Sequence, residues 1–242
     1  EIEGFKIKNA GEKKDGTRTM REVLVNSINT GMVFIAERLG RDTVREYIES
    51  FGFGKKTGIQ LDTEVAGTIA SLKKEGFVYA ATASFGQGIT ATALQMVQAY
   101  SALANGGKMV KPYLVEKIQD GDDALYEAKP AQYTDVLSPR AAALTADMMV
   151  SVMEEGHAKT ARVEGYRLAG KTGTAEIAEG VGYGEETIHS FVGFGPIEDP
   201  QFVMITVFER PKIARYAEST AAPVFGELAK FILQYKGVAP SR

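Results

Sequence analysis

Apolar residues recur mostly at helical spacing through the first two thirds of this chain and at strand spacing in the last third. Met32, Val33, Ile35, Ala36 and Leu39 share a helix face that stops at Gly40, a residue suited to a helix C-terminus because it has no Cβ. Asp42 or Thr43, with Glu46 completing a capping box, predicts a second helix that buries Val44, Tyr47, Ile48 and Phe51 and breaks at Gly52 and Gly54. Residues 55 to 90 are rich in Gly, Thr, Ser and Lys with little periodicity, and read as surface connections running over a core. Leu94, Val97, Tyr100, Leu103 and Ala104 predict a helix ended by Asn105-Gly106-Gly107, and Lys108 to Ile118 alternates like a strand or hairpin arm. Ser138 followed by Pro139 is an N-cap with proline at the first helical position; Leu144, Met148 and Val152 recur every four residues before Gly156 closes the helix.

Tyr166 to Ile177, Ser190 to Phe194 and Phe202 to Phe208 read as strands joined by turns that carry Gly or Pro. The third is apolar on both faces, which implies a sheet covered on both sides. Val224, Leu228, Phe231, Ile232 and Tyr235 predict a terminal amphipathic helix covering one of them. Helices and strands come in blocks rather than strict alternation, so the fold class is α+β, in a single domain spanning 1–242.

Composition narrows the function classes. The 44% hydrophobic and 24% charged residues are ordinary for a soluble globular protein. A formal net charge of -3 is too balanced to make nucleic acid a main partner. With no cysteine, disulfides, thiolate nucleophiles and cysteine metal sites are excluded. The two histidines, His157 and His189, cannot form a multi-histidine metal site, and no motif places either in a Ser-His-Asp triad; neither metal nor cofactor is expected. No apolar run is long enough to cross a bilayer, and the opening Glu1-Ile2-Glu3 has neither the charge nor the apolar stretch of a signal peptide. The expectation from this opening is a longer protein whose earlier part precedes Glu1.

Two short motifs carry chemistry. Lys171-Thr172-Gly173-Thr174 falls in the first of the closing strands. A strand glycine permits close approach of a ligand backbone, lysine supplies positive charge, and hydroxyls two residues apart project from one side, so the tetrad can hold a carboxylate. Taken alone it also fits a Lys/Thr edge strand with a glycine bulge. Lys56-Thr57-Gly58 repeats three of the letters, but it follows a helix-ending glycine and has Ile59 where the later copy has Thr174, so it is assigned to a turn. Ser27-Ile28-Asn29 lies between a weak helical segment, Met20 to Val25, and the strong one beginning near Thr30. Its polar side chains point into a cleft on one reading; on the other, Asn29 or Thr30 is an N-cap.

SxN followed by KTG, in this order, resembles the serine acyl transferases that handle penicillin, whose motif set is SxxK, SxN and KTG. The resemblance extends over nearly the whole chain and is to the transpeptidase domain of class B penicillin-binding proteins. It includes Gly16-Thr17-Arg18-Thr19, Asn26 to Thr30, Phe51-Gly52-Phe53-Gly54 with Thr57-Gly58-Ile59, and Ser84-Phe85-Gly86-Gln87-Gly88. Ala99-Tyr100, Leu103 to Gly107, Ala169 to Ala175 and Ser190-Phe191-Val192-Gly193-Phe194 continue it.

The resemblance implies a β-lactamase/transpeptidase-like fold, an antiparallel sheet covered by helices and incomplete here on its N-terminal side. It implies D,D-transpeptidase activity: acyl transfer from D-Ala-D-Ala stem peptides of peptidoglycan, with β-lactams taken for that substrate. Lys171 would supply positive field, Thr172 and Thr174 would hydrogen-bond the substrate carboxylate, and the Thr174 N–H would form half of an oxyanion hole. Ser27 would relay a proton to the leaving group, Asn29 would orient the substrate amide, and Gly173 would let the substrate lie along the strand. It further implies an extracytoplasmic location, a membrane-anchored parent and a cell-wall glycosyltransferase complex as partner.

One motif departs from the pattern. No Ser-x-x-Lys precedes Ser27; the only one in the chain, Ser71-Leu72-Lys73-Lys74, follows it and is too charged to bury a general-base lysine. The domain is therefore expected to lack its SxxK portion, and its nucleophile, within these residues. A non-catalytic β-lactam or peptidoglycan sensor and a β-lactamase of the same fold are the alternatives.

Overall fold

The computed structural model describes residues 1–10, 16–129, 133–179 and 182–241. Part of the Gly- and Lys-rich opening and the turn between the first two closing strands fall outside them. Among the described residues, seven α-helices and seven strands run in the order α1 (Met20–Val25), α2 (Asn29–Leu39), α3 (Arg41–Ser50), α4 (Val78–Ala83), α5 (Ala93–Ala104), β1 (Lys108–Val110), β2 (Lys117–Asp120), β3 (Asp123–Glu127), β4 (Tyr133–Asp135), α6 (Pro139–Glu154), β5 (Ala169–Glu179), β6 (Gly182–Gly195), β7 (Phe202–Glu209) and α7 (Ala221–Tyr235). The α+β class holds, with an antiparallel sheet covered by helices. β5, β6 and β7 form that sheet in sequence order, leaving β5 and β7 as its edges among the described residues. α5 and α6 pack on one face and α7 on the other. No described helix is long and apolar enough to cross a membrane.

The helix predictions for α2, α5 and α6 hold, and the caps explain why. Thr92 accepts from the Gln95 N–H in a capping box, and Ser138 accepts from the Ala141 N–H ahead of Pro139. α3 differs at its start: Gly40, at φ 83°, ends α2 and begins α3 in one residue, so neither Asp42 nor Thr43 caps. Lys108 to Ile118 yields only two short strands, and the β2–β3 hairpin stands wholly exposed.

Two expectations fail on packing. Residues 55 to 90 do not merely run over the surface: Ile69, Leu72, Ala80 and Ala83 lie in a core cluster with Ala36 and Val44, and Ala81 is fully buried. α4 escapes a periodicity reading because it is six residues long and alanine-rich, and its N-terminus is satisfied from afar. The Glu3 carboxylate accepts from the N–H groups of Phe77 and Val78 at 2.8 and 3.1 Å.

α7 turns the opposite face to the sheet from the one predicted. Ala221, Ala222, Phe225, Ala229 and Leu233 are fully buried, whereas Val224, Leu228, Phe231 and Tyr235 are exposed. Small residues let the helix pack closely: a Cβ on Gly193 of β6 would meet the Phe225 ring at 2.8 Å, and one on Gly226 would meet the Thr160 carbonyl of the 159–161 turn at 3.0 Å. Leu144 of α6 is likewise exposed, while Ala142, Ala146, Met149, Val150, Val152 and Met153 are buried between the neighbouring helices and β5.

The α5 region hangs on one side chain. Gln95, fully buried, uses all four of its amide capacities: Oε1 accepts from Gly67 N (3.2 Å) and Thr92 N (2.9 Å), and Nε2 donates to the carbonyls of Gly52 (3.4 Å) and Lys55 (2.8 Å). Gln95→Leu would strand partly buried backbone groups of three loops, and each group left without a partner costs roughly 1–3 kcal/mol when water cannot replace it. The variant is expected to lose at least about 3 kcal/mol in urea denaturation with an unchanged m-value; a loss below about 1 kcal/mol would show that the amide is not the tie described.

Candidate active site

The groove begins where α1 turns into α2. Asn26 is the C-cap of α1, the Ser27 N–H donates to the Leu24 carbonyl, and the Ile28 N–H donates to the Val23 carbonyl. This is a Schellman closure whose left-handed position belongs to Ser27, at φ 54°. Glycine is the usual choice there; a residue with a Cβ costs about 1 kcal/mol or more. Ile28 is the buried apolar partner that such a closure takes, packed near Val23, so its place between Ser27 and Asn29 has a structural cause. A Cβ on Gly31 would lie 2.7 Å from both Val23 methyl groups, which shows how tightly α1 and α2 meet beneath the turn.

The capping alternative for Asn29 does not hold. Asn29 opens α2 without a cap bond from its own side chain; its Nδ2 donates to the Lys8 carbonyl at 3.1 Å, and Asn9 Oδ1 accepts from the Thr30 N–H at 2.9 Å. The strap of residues 8–9 therefore crosses the start of α2 beside Ser27.

The other wall is β5. Directly opposed residues of an antiparallel pair share a face. Thr172 opposes Phe191 and Thr174 opposes His189 on the α7 face, whereas Lys171 opposes Val192 and Gly173 opposes Ser190 on the α5/α6 face. Lysine and threonines thus leave opposite faces, and only the edge position of β5 brings them together. Lys171 Nζ bends round that edge to donate to Ser27 Oγ at 2.9 Å and to the Thr172 carbonyl at 3.1 Å, with Thr172 Oγ1 at 3.4 Å. Thr174 Oγ1 accepts from the Ala217 N–H at 3.2 Å, and a Cβ on Gly173 would stand 2.6 Å from Ser190 Oγ.

Asp147 of α6 aligns the two walls. Its Oδ2 accepts from Arg21 in α1 at 2.7 Å and its Oδ1 from Arg167, just ahead of β5, at 3.1 Å. The Arg21 hydrogen bond, ahead of the charges of both arginines, holds the Asp147 carboxyl below its ordinary range.

The stem of Lys171 lines an apolar cavity of about 250 Å³ with Leu24, Phe51, Phe53, Ala99, Tyr100, Leu103, Thr145 and Met149. Burial there lowers the Lys171 pKa to about 8, with the charge of Glu218 opposing the shift. The same surroundings push Tyr100 up to about 12, so it remains a phenol. A larger hollow of about 570 Å³ beside Arg162, Glu164 and Tyr166 holds none of the motif residues.

The decoys lie in other surroundings. Thr57 and Gly58 wrap the Glu64 carboxylate, which accepts from Thr57 N, Thr57 Oγ1 and Gly58 N, and no strand forms there. Ser71 donates to the Gly88 carbonyl at 2.6 Å while Lys74 sits over the Tyr79 ring. Sequence reading missed Glu218, the Ala217 N–H and the 8–9 strap, because no local pattern links them to residues so distant in the chain.

With this geometry in place, comparison with known proteins is specific. Residues 1–230 match the family model described as the penicillin-binding protein transpeptidase domain. Stage V sporulation protein D of Bacillus subtilis is 36% identical over 246 residues, covering 100% of this chain and 38% of that protein. Penicillin-binding protein PbpB of Mycolicibacterium smegmatis is 31% identical over 232 residues, covering 91% of this chain and 36% of its own length. The solved structure of Mycobacterium tuberculosis penicillin-binding protein 3 with aztreonam superposes with a TM-score of 0.90 at 26% identity, over 100% of this chain and 56% of that one. The chain therefore spans well under half the length of these curated relatives.

Two outcomes follow from the groove itself. Ser27→Gly and Ser27→Ala both remove the hydroxyl, but only glycine relieves the left-handed strain, so the glycine variant should be the more stable by about 1 kcal/mol in urea denaturation; the reverse order would show that Ser27 is unstrained. A side-chain NMR titration, assigned by loss of the signal in Lys171→Arg, should show a midpoint of about 8 rather than the ordinary 10.5. Between those values the unfolded chain holds the proton and the folded one does not, so the Lys171 contribution to stability rises with pH across that window. A midpoint above about 10 would mean that the ammonium is solvated.

Proposed function

This chain belongs to the penicillin-binding protein transpeptidase domain family, and on that premise we propose that its groove takes the D-Ala-D-Ala end of a peptidoglycan stem peptide for acyl transfer. The observation that carries the reading is the desolvated Lys171 ammonium, 2.9 Å from Ser27 Oγ, at the open edge of β5. An extended peptide adds to such an edge through backbone hydrogen bonds. Gly173 keeps that edge low, Lys171 supplies positive field to the carboxylate, and Thr172 and Thr174 donate hydroxyls to it. The Thr174 N–H forms half of the oxyanion hole, where fixed donors stabilise charge developing on the attacked carbonyl. Ser27 relays the proton to the leaving amine; Asn29, released from Lys8, turns its amide to the substrate.

Penicillins enter the same groove in this reading; M. tuberculosis penicillin-binding protein 3, whose structure this chain resembles, has been solved in complex with aztreonam and with ampicillin. The nucleophile is a serine outside these 242 residues, in a longer protein that works outside the cytoplasm, anchored in the membrane beside a glycosyltransferase. Ser27 beside a lysine of depressed pKa also fits a nucleophile with its base, and an adduct at Ser27 would favour that reading.

Intact-mass measurement after incubation with penicillin distinguishes them: the 242-residue chain should gain no drug mass, whereas a longer chain carrying an upstream SxxK helix should gain one equivalent. In that longer chain, Lys171→Ala or Asn29→Ala should slow acylation about a hundred- to a thousandfold, the scale of losing an oxyanion donor, while Lys56→Ala leaves it unchanged. Slow loss of the adduct separates a transpeptidase from a β-lactamase, and absence of any adduct points to a sensor. Equal effects at Lys56 and Lys171 would remove the KTGT assignment.

A further inference from the structure

His189 lies in β6 directly opposite Thr174 and is fully buried, yet it takes no part in the reading above. Both ring nitrogens meet threonine hydroxyls: Nε2 is 3.0 Å from Thr187 Oγ1 and Nδ1 is 2.9 Å from Thr220 Oγ1. Hydroxyls both donate and accept, so each threonine supplies what the facing nitrogen lacks. Burial lowers the pKa of the ring, with a hydrogen bond to the Arg215 backbone opposing it.

Thr220 stands at the N-cap position of α7, but its hydroxyl makes no capping bond; the imidazole holds it instead. One residue on, Thr206 Oγ1 of β7 donates to the Ala221 carbonyl at 2.8 Å, so the start of α7 is pinned to the sheet twice. Between Thr220 and the groove there is only the 3₁₀ turn Ala217–Ser219. Ala217 is fully buried, and its N–H donates to Thr174 Oγ1. A threonine hydroxyl that already accepts from a backbone N–H keeps its own proton for another partner. Thr174 is exposed at the strand edge, so that proton is available to whatever lies along β5.

We propose that His189 is a positioning residue for ligand carboxylates: it clamps the 217–220 turn to β6, so that Ala217 engages a lone pair of Thr174 Oγ1 and the Thr174 O–H is donated to the carboxylate. This rests on the groove reading above and adds a residue that no motif contains. Loss of the clamp lets the turn move, after which the Thr174 hydroxyl is free to rotate away.

The test compares acylation of the full-length protein by a penicillin and by its methyl ester, which lacks the carboxylate charge. In His189→Leu the free acid should react about tenfold more slowly, the scale of one charge-assisted hydrogen bond, with the ester within about twofold of the unaltered protein. Thr174→Val should slow the free acid at least as much, and His189→Leu combined with Thr174→Val should be no slower toward the acid than Thr174→Val alone. His189→Asn keeps a polar atom near the Nδ1 position and should restore the acid rate to within about threefold. Hydrogen exchange of peptides covering 215–221 should quicken in His189→Leu and not in His189→Asn; Thr220→Val, which removes the same bond from the other side, replaces the leucine variant if that one does not fold. Equal slowing of acid and ester, or unchanged exchange at 215–221, overturns the proposal. An unaltered full-length protein that takes up no penicillin overturns the groove reading instead, and the exchange measurement still decides the clamp.

Discussion

A lysine ammonium partly withdrawn from bulk water is the constraint on which this site is built. Desolvation disfavours the charge of Lys171, and the structure answers with oxygen acceptors drawn from both walls of the groove: Ser27 Oγ from the α1–α2 turn and the Thr172 carbonyl from β5 itself. Ser27 and Lys171 are 144 residues apart in sequence, so their contact requires the helical region and the sheet to be docked in one relative placement. The apolar lining from α1, α5 and α6 removes the water, and the Asp147 carboxylate ties α1 to the approach to β5.

The strained turn at Ser27 belongs to the same constraint. A glycine would close α1 at lower conformational cost, but it would take from Lys171 the shorter of its two hydroxyl contacts, Ser27 Oγ at 2.9 Å. Strain that persists where a side chain is needed marks a position maintained for what that side chain does rather than for stability. The edge position of β5 has a similar logic: among the described residues it has a strand on one side only, which lets the Lys171 ammonium reach the Thr172 carbonyl on its free flank.

Much of the architecture is legible in the sequence. The boundaries of α2, α5 and α6, the three closing strands and the distinction between the two Lys-Thr-Gly copies follow from caps, period and neighbouring residues, all of which are local. The inward face of α7 is not, because a reading by hydrophobicity selects Val224, Leu228, Phe231 and Tyr235, while close helix-to-sheet packing selects the small residues on the other side. α4 was missed for a related reason: its burial rests on alanines, and its cap comes from Glu3.

For the groove, residue order sufficed to nominate Ser27, Asn29, Lys171, Thr172, Gly173 and Thr174, because motifs preserve chemical type and spacing along one segment. Which of them meet was decided by tertiary structure. Alternation along a strand sets Lys171 and the threonines on opposite faces, and only an edge strand, whose flank is open, lets a long flexible side chain return to the other side. The left-handed backbone of Ser27, the bond from Asn29 to Lys8 and the Glu218 charge near Lys171 likewise depend on segments brought together by packing. Composition and period act through neighbours in the chain, whereas desolvation and hydrogen-bond geometry act through neighbours in space; the first names the groups, and the second sets their charge, direction and partners.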